Sequence, residues 1–235
     1  MEINKQKIST PVAIILAGLI IMVGIIVSGG FKCKCKSEEP KTLSEEVGVT
    51  REDLSKCIEE KDKEALATRI EDSVSRAMAD VPETERGTPY SVIVGNNGVM
   101  AEIRGAKQPE QIKELISEVL SGEVKEPYTG DLVVSEEGDR INGNPEAPVK
   151  IITYSDLECP YCALLNGYLK QIVEESDGQV SSVFRHWPIH QNSFTKLVAA
   201  ECVGDLLGQE AYFKYIDLVF SLMNEDEEDS VLNIL

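Results

Sequence analysis

The sequence predicts a mixed α/β domain that is held to a membrane by one helix. Three observations support this prediction. Residues 8–31 contain no charged residue and include the apolar run PVAIILAGLIIMVGIIV. Two β-rich segments, TPYSVIV and VKIITYS, are each followed by apolar residues at helical spacing. Cys159 and Cys162 lie where the second of these segments gives way to a helix.

The apolar run is long enough to span a bilayer of about 30 Å at ~1.5 Å per helical residue. We therefore expect residues 1–36 to form a cytoplasmic tip and a single transmembrane anchor, with the lipid bilayer bound through residues 8–31. A cleaved signal peptide is the alternative, but its apolar region is usually about 7 to 15 residues long. Lysines flank the run on both sides and leave its orientation undecided. A polar tether, 37–48, is expected to follow.

Size and charge narrow the function classes. The chain has 235 residues, of which 42% are apolar, and this suits one core domain, 37–235. The formal net charge is −18, and no basic stripe follows the membrane flank. Because nucleic-acid-binding proteins present clustered lysine and arginine, we expect no nucleic acid partner.

The first half of the domain, 43–120, is predicted to contain helices and one hairpin. Thr50 is placed to cap a helix over 51–59, and a second helix is expected over 63–79. The turn sequence GNNG between TPYSVIV and VMAEIRG predicts a β-hairpin. Pro109 suits the first position of the helix that follows.

A connection, 121–148, is predicted to follow, with at most a short strand at DLVV. The second half, 149–235, begins with the strand VKIITYS and continues into a helix after Cys159. VSSVFRHW is expected to form another strand. Two further helices are predicted, over 193–207 and 210–223.

The spacing of Cys159 and Cys162 indicates thiol–disulfide chemistry. A cysteine at a helix start meets free backbone N–H groups and the positive end of the helix dipole, which favour its thiolate. We expect Cys159 to be exposed and Cys162 to be shielded, one turn further on, where it can attack a mixed disulfide. A zinc site needs four ligands, and the chain offers only His186 and His190 as nitrogens. Two buried structural thiols are the other alternative. We expect no metal and no cofactor.

The run DRINGNPEAPVKIITYSDLECPYC, with FRHWPIH and AAECVGDLLGQEAYFKYIDLVF after it, resembles the first part of the DsbA-like branch of the thioredoxin superfamily. The resemblance implies a thioredoxin-like fold with a helical insertion. It also implies a thiol–disulfide oxidoreductase outside the cytoplasm, with Cys159 as nucleophile and Cys162 as resolving thiol.

Thr88 and Pro89 match the threonine and cis-proline that lie beside the cysteine pair in this family and present backbone groups to a substrate. The sequence from GTPYSVIV to ISEVL resembles the family's closing hairpin and last helix. An ordinary trans Thr-Pro bond is the alternative.

In the family, the cysteine half comes first, whereas here it follows the cis-proline half. The resemblance therefore implies a circularly permuted domain in which 121–148 joins the old termini and Pro89 lies beside Cys159. Two half-folds that exchange between chains, or a fragment with a missing continuation, are the alternatives.

The other four cysteines lie outside the predicted redox motif. The resemblance implies a structural disulfide between Cys57 and Cys202, and two unpaired thiols are the alternative. Cys33 and Cys35 adjoin the predicted anchor and are taken as idle thiols. Lipid attachment or a link to another chain are the alternatives for this pair.

Five polar residues near the cysteine pair have two interpretations each. Arg185, His186 and His190 can steer a thiolate or can be packed or solvent-facing side chains. Asp156 and Glu158 can relay protons or can be solvated carboxylates at a helix start.

The sequence thus predicts a membrane-anchored, extracytoplasmic protein that forms, reduces or isomerises disulfides in client proteins. Its expected partners are those client proteins and a redox recycling partner. The membrane is one location in which the recycling partner can reside. A tethered binding module with a static disulfide is the alternative. The direction of exchange depends on the relative stability of the two redox states.

Overall fold

The computed structural model describes residues 42–223, which form a five-stranded sheet with helices on both faces. The strands are β1 (Tyr90–Gly95), β2 (Met100–Arg104), β3 (Ile141–Gly143), β4 (Val149–Ser155) and β5 (Val180–His186). The helices are α1 (Leu43–Val47), α2 (Arg51–Glu60), α3 (Lys63–Ala77), α4 (Pro109–Ser121), α5 (Pro160–Glu175), α6 (Ser193–Leu207) and α7 (Gln209–Leu222). A 3-10 turn covers Glu83–Glu85.

The strands lie in the order β2-β1-β4-β5-β3. β1 pairs antiparallel with both β2 and β4, β4 pairs parallel with β5, and β5 pairs antiparallel with β3. The predicted hairpin and the strand before the cysteines are therefore direct neighbours, with Ile93 opposite Ile151. The prediction that the two halves build one sheet within one chain is confirmed.

The sheet is buried on both faces. Ile151 packs in a cluster with α4 and α5, for example against Ile112 and Leu169. Ile152 points to the opposite face and packs in a second cluster, which includes residues of α3, α6 and α7. Successive side chains of a strand point to opposite faces, so a strand covered on both sides is apolar at nearly every position. This explains the run VKIITYS.

The connection 121–148 differs from the prediction. DLVV forms no strand, whereas Ile141–Gly143 pairs with β5 at the sheet edge. A strand needs a partner edge, and the outer edge of β2 is taken by Pro127, which bridges to Ala101, and by the N–H of Tyr128, which bonds to Met100. Leu132 and Val134 pack against the core instead.

The N-terminal part of the described chain also differs from a simple tether. Thr42 and Glu45 form a reciprocal capping box that starts α1, and this helix buries Leu43 and Val47. The Thr-x-x-Glu spacing is a sequence signal for such a helix, and the interpretation as a tether overlooked it. The predicted cap at Thr50 is confirmed, since its hydroxyl accepts from the backbone N–H of Asp53 at 3.1 Å.

The predicted anchor over residues 8–31 lies outside the described residues and stays a prediction. Among residues 42–223, none of the helices combines the length and the apolar character needed to cross a bilayer.

Arg140, in the connection, is held against α6 and α7. Its guanidinium lies 4.9 Å from the ring centre of Tyr212 and donates to Asp205 at 2.8 Å. A Cβ atom on Gly204 would lie 2.3 Å from Cζ of Arg140, so a larger residue there would force this guanidinium to shift.

We therefore expect Gly204→Ala to lower the free energy of unfolding by about 1–3 kcal/mol, because the added methyl displaces Arg140 from its ring and its carboxylate. Gly167, within α5, is the matched control, since a Cβ there would meet no atom within 4 Å. Gly167→Ala should stabilise by about 1 kcal/mol through helix propensity. Urea unfolding of both variants checks this, and equal gains in stability would contradict the assigned contact.

Candidate functional site

The two cysteines lie at the start of α5, as predicted. Cys159 is the residue before the first helical turn, Pro160 occupies the first helical position, and Cys162 lies within that turn. Both are free thiols in this structure. Cys162 is fully buried, as expected, but the prediction of an exposed Cys159 is wrong, because only 5% of this residue is accessible. The loop at Thr88 covers its sulfur.

The peptide bond between Thr88 and Pro89 is cis, which confirms the prediction. The thiol of Cys159 donates to the carbonyl oxygen of Thr88 at 3.5 Å. The carbonyl of Pro89 accepts from the N–H of Gly105 at 2.9 Å, which ties this loop to the end of β2. The predicted placement of the cis-proline beside the cysteine pair, within one chain, is therefore confirmed.

The sulfur of Cys162 lies in the interior. Burial raises the pKa of this thiol to about 12, although hydrogen bonds from the backbone of Asp156 and from the Ser155 side chain oppose the shift. The N–H of Asp156 lies 3.4 Å from the sulfur. The Thr88 hydroxyl is also buried, and it makes no hydrogen bond of good geometry among the described residues. Cys162 is thus a protonated thiol with several donors around it.

Asp156 is a buried anchor, so the interpretation as a solvated carboxylate is wrong for it. It is 1% exposed. Its Oδ2 accepts from the backbone N–H groups of Ile189 and His190 at 2.6 and 2.9 Å, and its Oδ1 accepts from Glu158 at 2.6 Å. Burial alone would raise its pKa, but these bonds and one from Ser193 outweigh burial and lower it. The carboxylate holds the loop after β5 against the loop that carries Cys159.

Glu158 fastens the same loop to α6. It accepts from Lys196 Nζ at 3.0 Å and from the N–H of Asn192 at 2.9 Å. Burial raises its pKa, whereas the bond from Lys196 lowers it and prevails. Glu158 is therefore a fixed anion, and the expectation of a solvated carboxylate is wrong for it as well.

The two histidines occupy different environments. His186 is buried and its Nε2 lies 3.0 Å from the hydroxyl of Tyr212. Burial lowers the pKa of His186 to about 3, and burial raises the pKa of Glu201, 3.5 Å away, so this contact is not an ion pair at neutral pH. His190 is partly exposed and its Nδ1 lies 3.1 Å from Asp156.

Arg185 is structural. Its Nε and Nη2 donate to the two carboxylate oxygens of Asp139 at 2.9 and 2.8 Å, and its Nη1 donates to the hydroxyl of Tyr154 at 2.9 Å. Burial opposes its charge, but the hydrogen bonds that it donates to Asp139 prevail and raise its pKa. This paired arginine binds the connection to the sheet and does not reach the cysteines. Within residues 42–223, no three metal-ligating side chains converge on a common point.

The predicted pairing of Cys57 with Cys202 is confirmed. Their Cα atoms are 5.8 Å apart, and the bond joins α2 to α6 across a separation of 145 residues. A residue that the sequence analysis missed is Ser155, which lies at the end of β4, lines the same cavity as Cys162 and opposes the rise of the Cys162 pKa. A hydroxyl at the last position of a buried strand, just before the cysteine motif, was the available signal.

The buried, neutral His186 predicts a loss of stability in mild acid. Its folded pKa of about 3 lies below its usual 6.5, so between these values the unfolded chain binds more protons and stability falls as pH falls. We expect the free energy of unfolding of the wild type to drop by about 1–2 kcal/mol more than that of His186→Gln between pH 7 and pH 5. Urea unfolding at both pH values tests this, and parallel pH profiles would contradict a buried neutral imidazole.

Known proteins resemble parts of this chain. Residues 135–234 match the model of the Thioredoxin family. The Na(+)/H(+) antiporter NhaA 1 of Mycobacterium sp. (strain KMS) is 34% identical over 71 residues, which is 29% of this chain and 12% of that protein. The protein of that name in Salinispora arenicola is 32% identical over 100 residues, which is 40% of this chain and 15% of that protein. This chain thus spans less than a sixth of these relatives.

Among solved structures, Wolbachia pipientis alpha-DsbA1 is 24% identical, covers 43% of this chain and 52% of its own, and has a TM-score of 0.36. A single-residue variant of that protein gives the same identity and coverage with a TM-score of 0.37. The segment that matches the Thioredoxin family contains β4, the cysteine pair and α5. By that match, residues 135–234 of this chain are similar to the Thioredoxin family.

Proposed function

We propose that this chain is a membrane-anchored, extracytoplasmic thiol–disulfide oxidoreductase that acts on client proteins. The observation that carries the proposal is the thiol of Cys159 at a helix start, 3.5 Å from the carbonyl of Thr88 and within the segment that matches the Thioredoxin family. A thiol in this position meets the free N–H groups of the helix and lies beside the backbone of the cis-proline loop.

The exchange conserves atoms and electrons. In the oxidising direction, a client thiolate attacks Cys159 of the Cys159–Cys162 disulfide, and Cys162 leaves as a thiolate that takes up a proton. A second client thiolate then attacks the client sulfur of the mixed disulfide and releases Cys159. The client loses two electrons and the cysteine pair gains them, and the reductive direction reverses each step.

Thr88 and Pro89 are proposed to bind the client backbone. The carbonyl of Thr88 bonds to the Cys159 thiol in this structure. Once that thiol becomes part of a mixed disulfide, the carbonyl can accept a backbone N–H of the client beside the reacting sulfur. An extended client segment could then lie along the loop before β1, as in strand addition to a sheet.

We also propose that the domain is circularly permuted. The cis-proline half (43–120) precedes the cysteine half (149–235), whereas the resemblance implies the opposite order. The connection, 121–148, is fixed to the sheet through Asp139 and Arg185, so it supports the closed arrangement of both halves.

The proposed location is the cell membrane, with residues 8–31 as anchor and the domain on the oxidising side. The Cys57–Cys202 disulfide supports this side, because such bonds persist in oxidising compartments. A redox partner in or at the membrane would restore the cysteine pair after each exchange. Protease added to spheroplasts should digest the domain, and complete protection would reverse the proposed topology.

A tethered binding module with a static disulfide is the second candidate. It is favoured by the 5% exposure of Cys159, which leaves little sulfur surface for attack. Under this alternative, the cysteine pair would form a permanent disulfide and the cis-proline loop would bind a partner without exchange.

Exchange with a reduced, unfolded model protein that contains cysteines separates the two candidates. The oxidised full chain should take two electrons per molecule from this client within minutes, as followed by the loss of client thiols. Cys159→Ser should take none, while Gly167→Ala, where the added methyl meets no atom within 4 Å, serves as the control. If the wild type leaves the client thiols unchanged, the oxidoreductase proposal fails.

A further inference from the structure

A cavity lies behind the cysteine pair, between the sheet, α5 and α7. Its volume is about 440 Å³, and Cys162 forms part of its wall. Neither Cys159 nor Thr88 lines it, so it reaches Cys162 from a direction that does not involve the cis-proline loop. The only described thiol on this cavity is therefore the one that the reaction must deprotonate.

The sheet side of the cavity carries several hydroxyl groups. It is lined by Thr153, Ser155 and Ser182 together with the apolar residues Ile141, Val183 and Phe184. Thr153 bonds to Ser91 on the neighbouring strand at 2.9 Å, and Ser182 lies opposite Ile151 in the parallel pair. A space of this size with several hydroxyl groups in its wall is roomy and polar enough for water.

The other end of the cavity reaches the surface of the molecule. Asn166 and Lys170 of α5 both donate to Asp217 of α7, at 2.9 and 2.6 Å. The side chains of Lys170 and Asp217 are 50% and 36% exposed, so this end meets solvent. The cavity thus runs from the wall formed by Cys162 and Ser155 to bulk water, although the Cys162 side chain itself is fully buried.

The proposed reaction requires this sulfur to exchange a proton. Resolution of a mixed disulfide consumes the Cys162 thiolate, whereas burial keeps the group protonated. On the active-site side, the sulfur is enclosed by the backbone of Asp156 and by the covered Cys159. A proton that leaves Cys162 therefore needs another exit.

We propose that this cavity is the route by which the Cys162 proton passes to solvent, with Ser155 as the positioning residue that links the thiol to water in the cavity. The inference rests on the proposed oxidoreductase function. As Cys162 attacks the Cys159 sulfur of the mixed disulfide, its proton passes to water and the Cys159–Cys162 bond forms. The bond between Cys159 and the client sulfur breaks, and the client leaves as a thiolate that takes up a proton from solvent. The step needs no external oxidant, because the mixed disulfide supplies the oxidised sulfur.

The test is the reaction of the reduced full chain with an aromatic disulfide whose thiol absorbs visible light, in a background with Cys33→Ser and Cys35→Ser. The first burst of coloured thiol reports attack by Cys159, and the second reports resolution by Cys162. We expect Ser155→Ala and the cavity-filling Ser182→Val to keep the first phase and to slow the second about 10- to 100-fold at neutral pH. The solvent deuterium isotope effect on the second phase should rise, and Ser155→Thr should restore the rate.

Ser181→Ala is the matched control, because Ser181 lies next to Ser182 on β5, is buried and does not line the cavity. This variant should leave both phases unchanged. An unchanged second phase in both Ser155→Ala and Ser182→Val, with an intact first phase, would overturn the proton route and leave the oxidoreductase proposal standing. A wild type without a first phase would overturn the oxidoreductase proposal, and the proton route with it.

Discussion

Replacement of Cys162 by Ser is expected to trap Cys159 in mixed disulfides with client proteins in cells. The attack on a client needs only Cys159, whereas release needs the Cys162 thiolate in the first turn of α5. Adducts that a reductant cleaves should therefore accumulate. They should be nearly absent from the wild type and should become the dominant form of the variant. Non-reducing electrophoresis followed by mass spectrometry of the adducts measures this.

The double variant Cys159→Ser, Cys162→Ser is the control for the trap and should form no adducts at this site. Cys33 and Cys35 are best replaced in both proteins, so that neither contributes a thiol. Absence of adducts from the Cys162→Ser protein, at normal expression, would show that Cys159 does not attack clients.

Removal of the Cys57–Cys202 bond is expected to cause the largest loss of stability. The bond closes a separation of 145 residues between α2 and α6, and cross-links of this span restrict the unfolded chain strongly. We expect the double variant Cys57→Ala, Cys202→Ala to lose about 2–5 kcal/mol of unfolding free energy. Urea unfolding without reductant gives the value.

A matched comparison separates the effect of losing the disulfide from the effect of replacing the two cysteine side chains. The wild type unfolded with reductant should approach the stability of the double variant, whereas the variant itself should not respond to reductant. Peptide mapping should find Cys57 linked to Cys202 before reduction. A double variant as stable as the oxidised wild type would contradict a structural role for this disulfide.

The strands and the cysteine motif could be predicted because their signals are local. VKIITYS is apolar at successive positions because β4 is covered on both faces, and GNNG marks the turn between β1 and β2. The cis bond before Pro89 and the Cys57–Cys202 pair came from the resemblance, since spacing alone fixes neither.

The features that the sequence did not predict depend on contacts between distant segments. Asp156 looks like an ordinary carboxylate before a helix, and its role appears only when the backbone of Ile189 and His190 approaches it. The burial of Cys159 depends on the loop at Thr88, 71 residues earlier. DLVV has strand propensity, but the neighbouring edge of β2 is already taken. Propensity cannot report which edges are free.

The redox equilibrium of the cysteine pair with glutathione tests the central claim most directly. The full chain is equilibrated in buffers of graded potential, quenched with acid and alkylated, and each cysteine is then quantified by mass spectrometry. We predict that Cys159 and Cys162 interconvert as a two-electron couple within minutes, at a potential above about −300 mV, while Cys57 and Cys202 stay bonded. A Cys159–Cys162 bond that persists at all these potentials, or a pair that never forms one, would contradict a redox-active site.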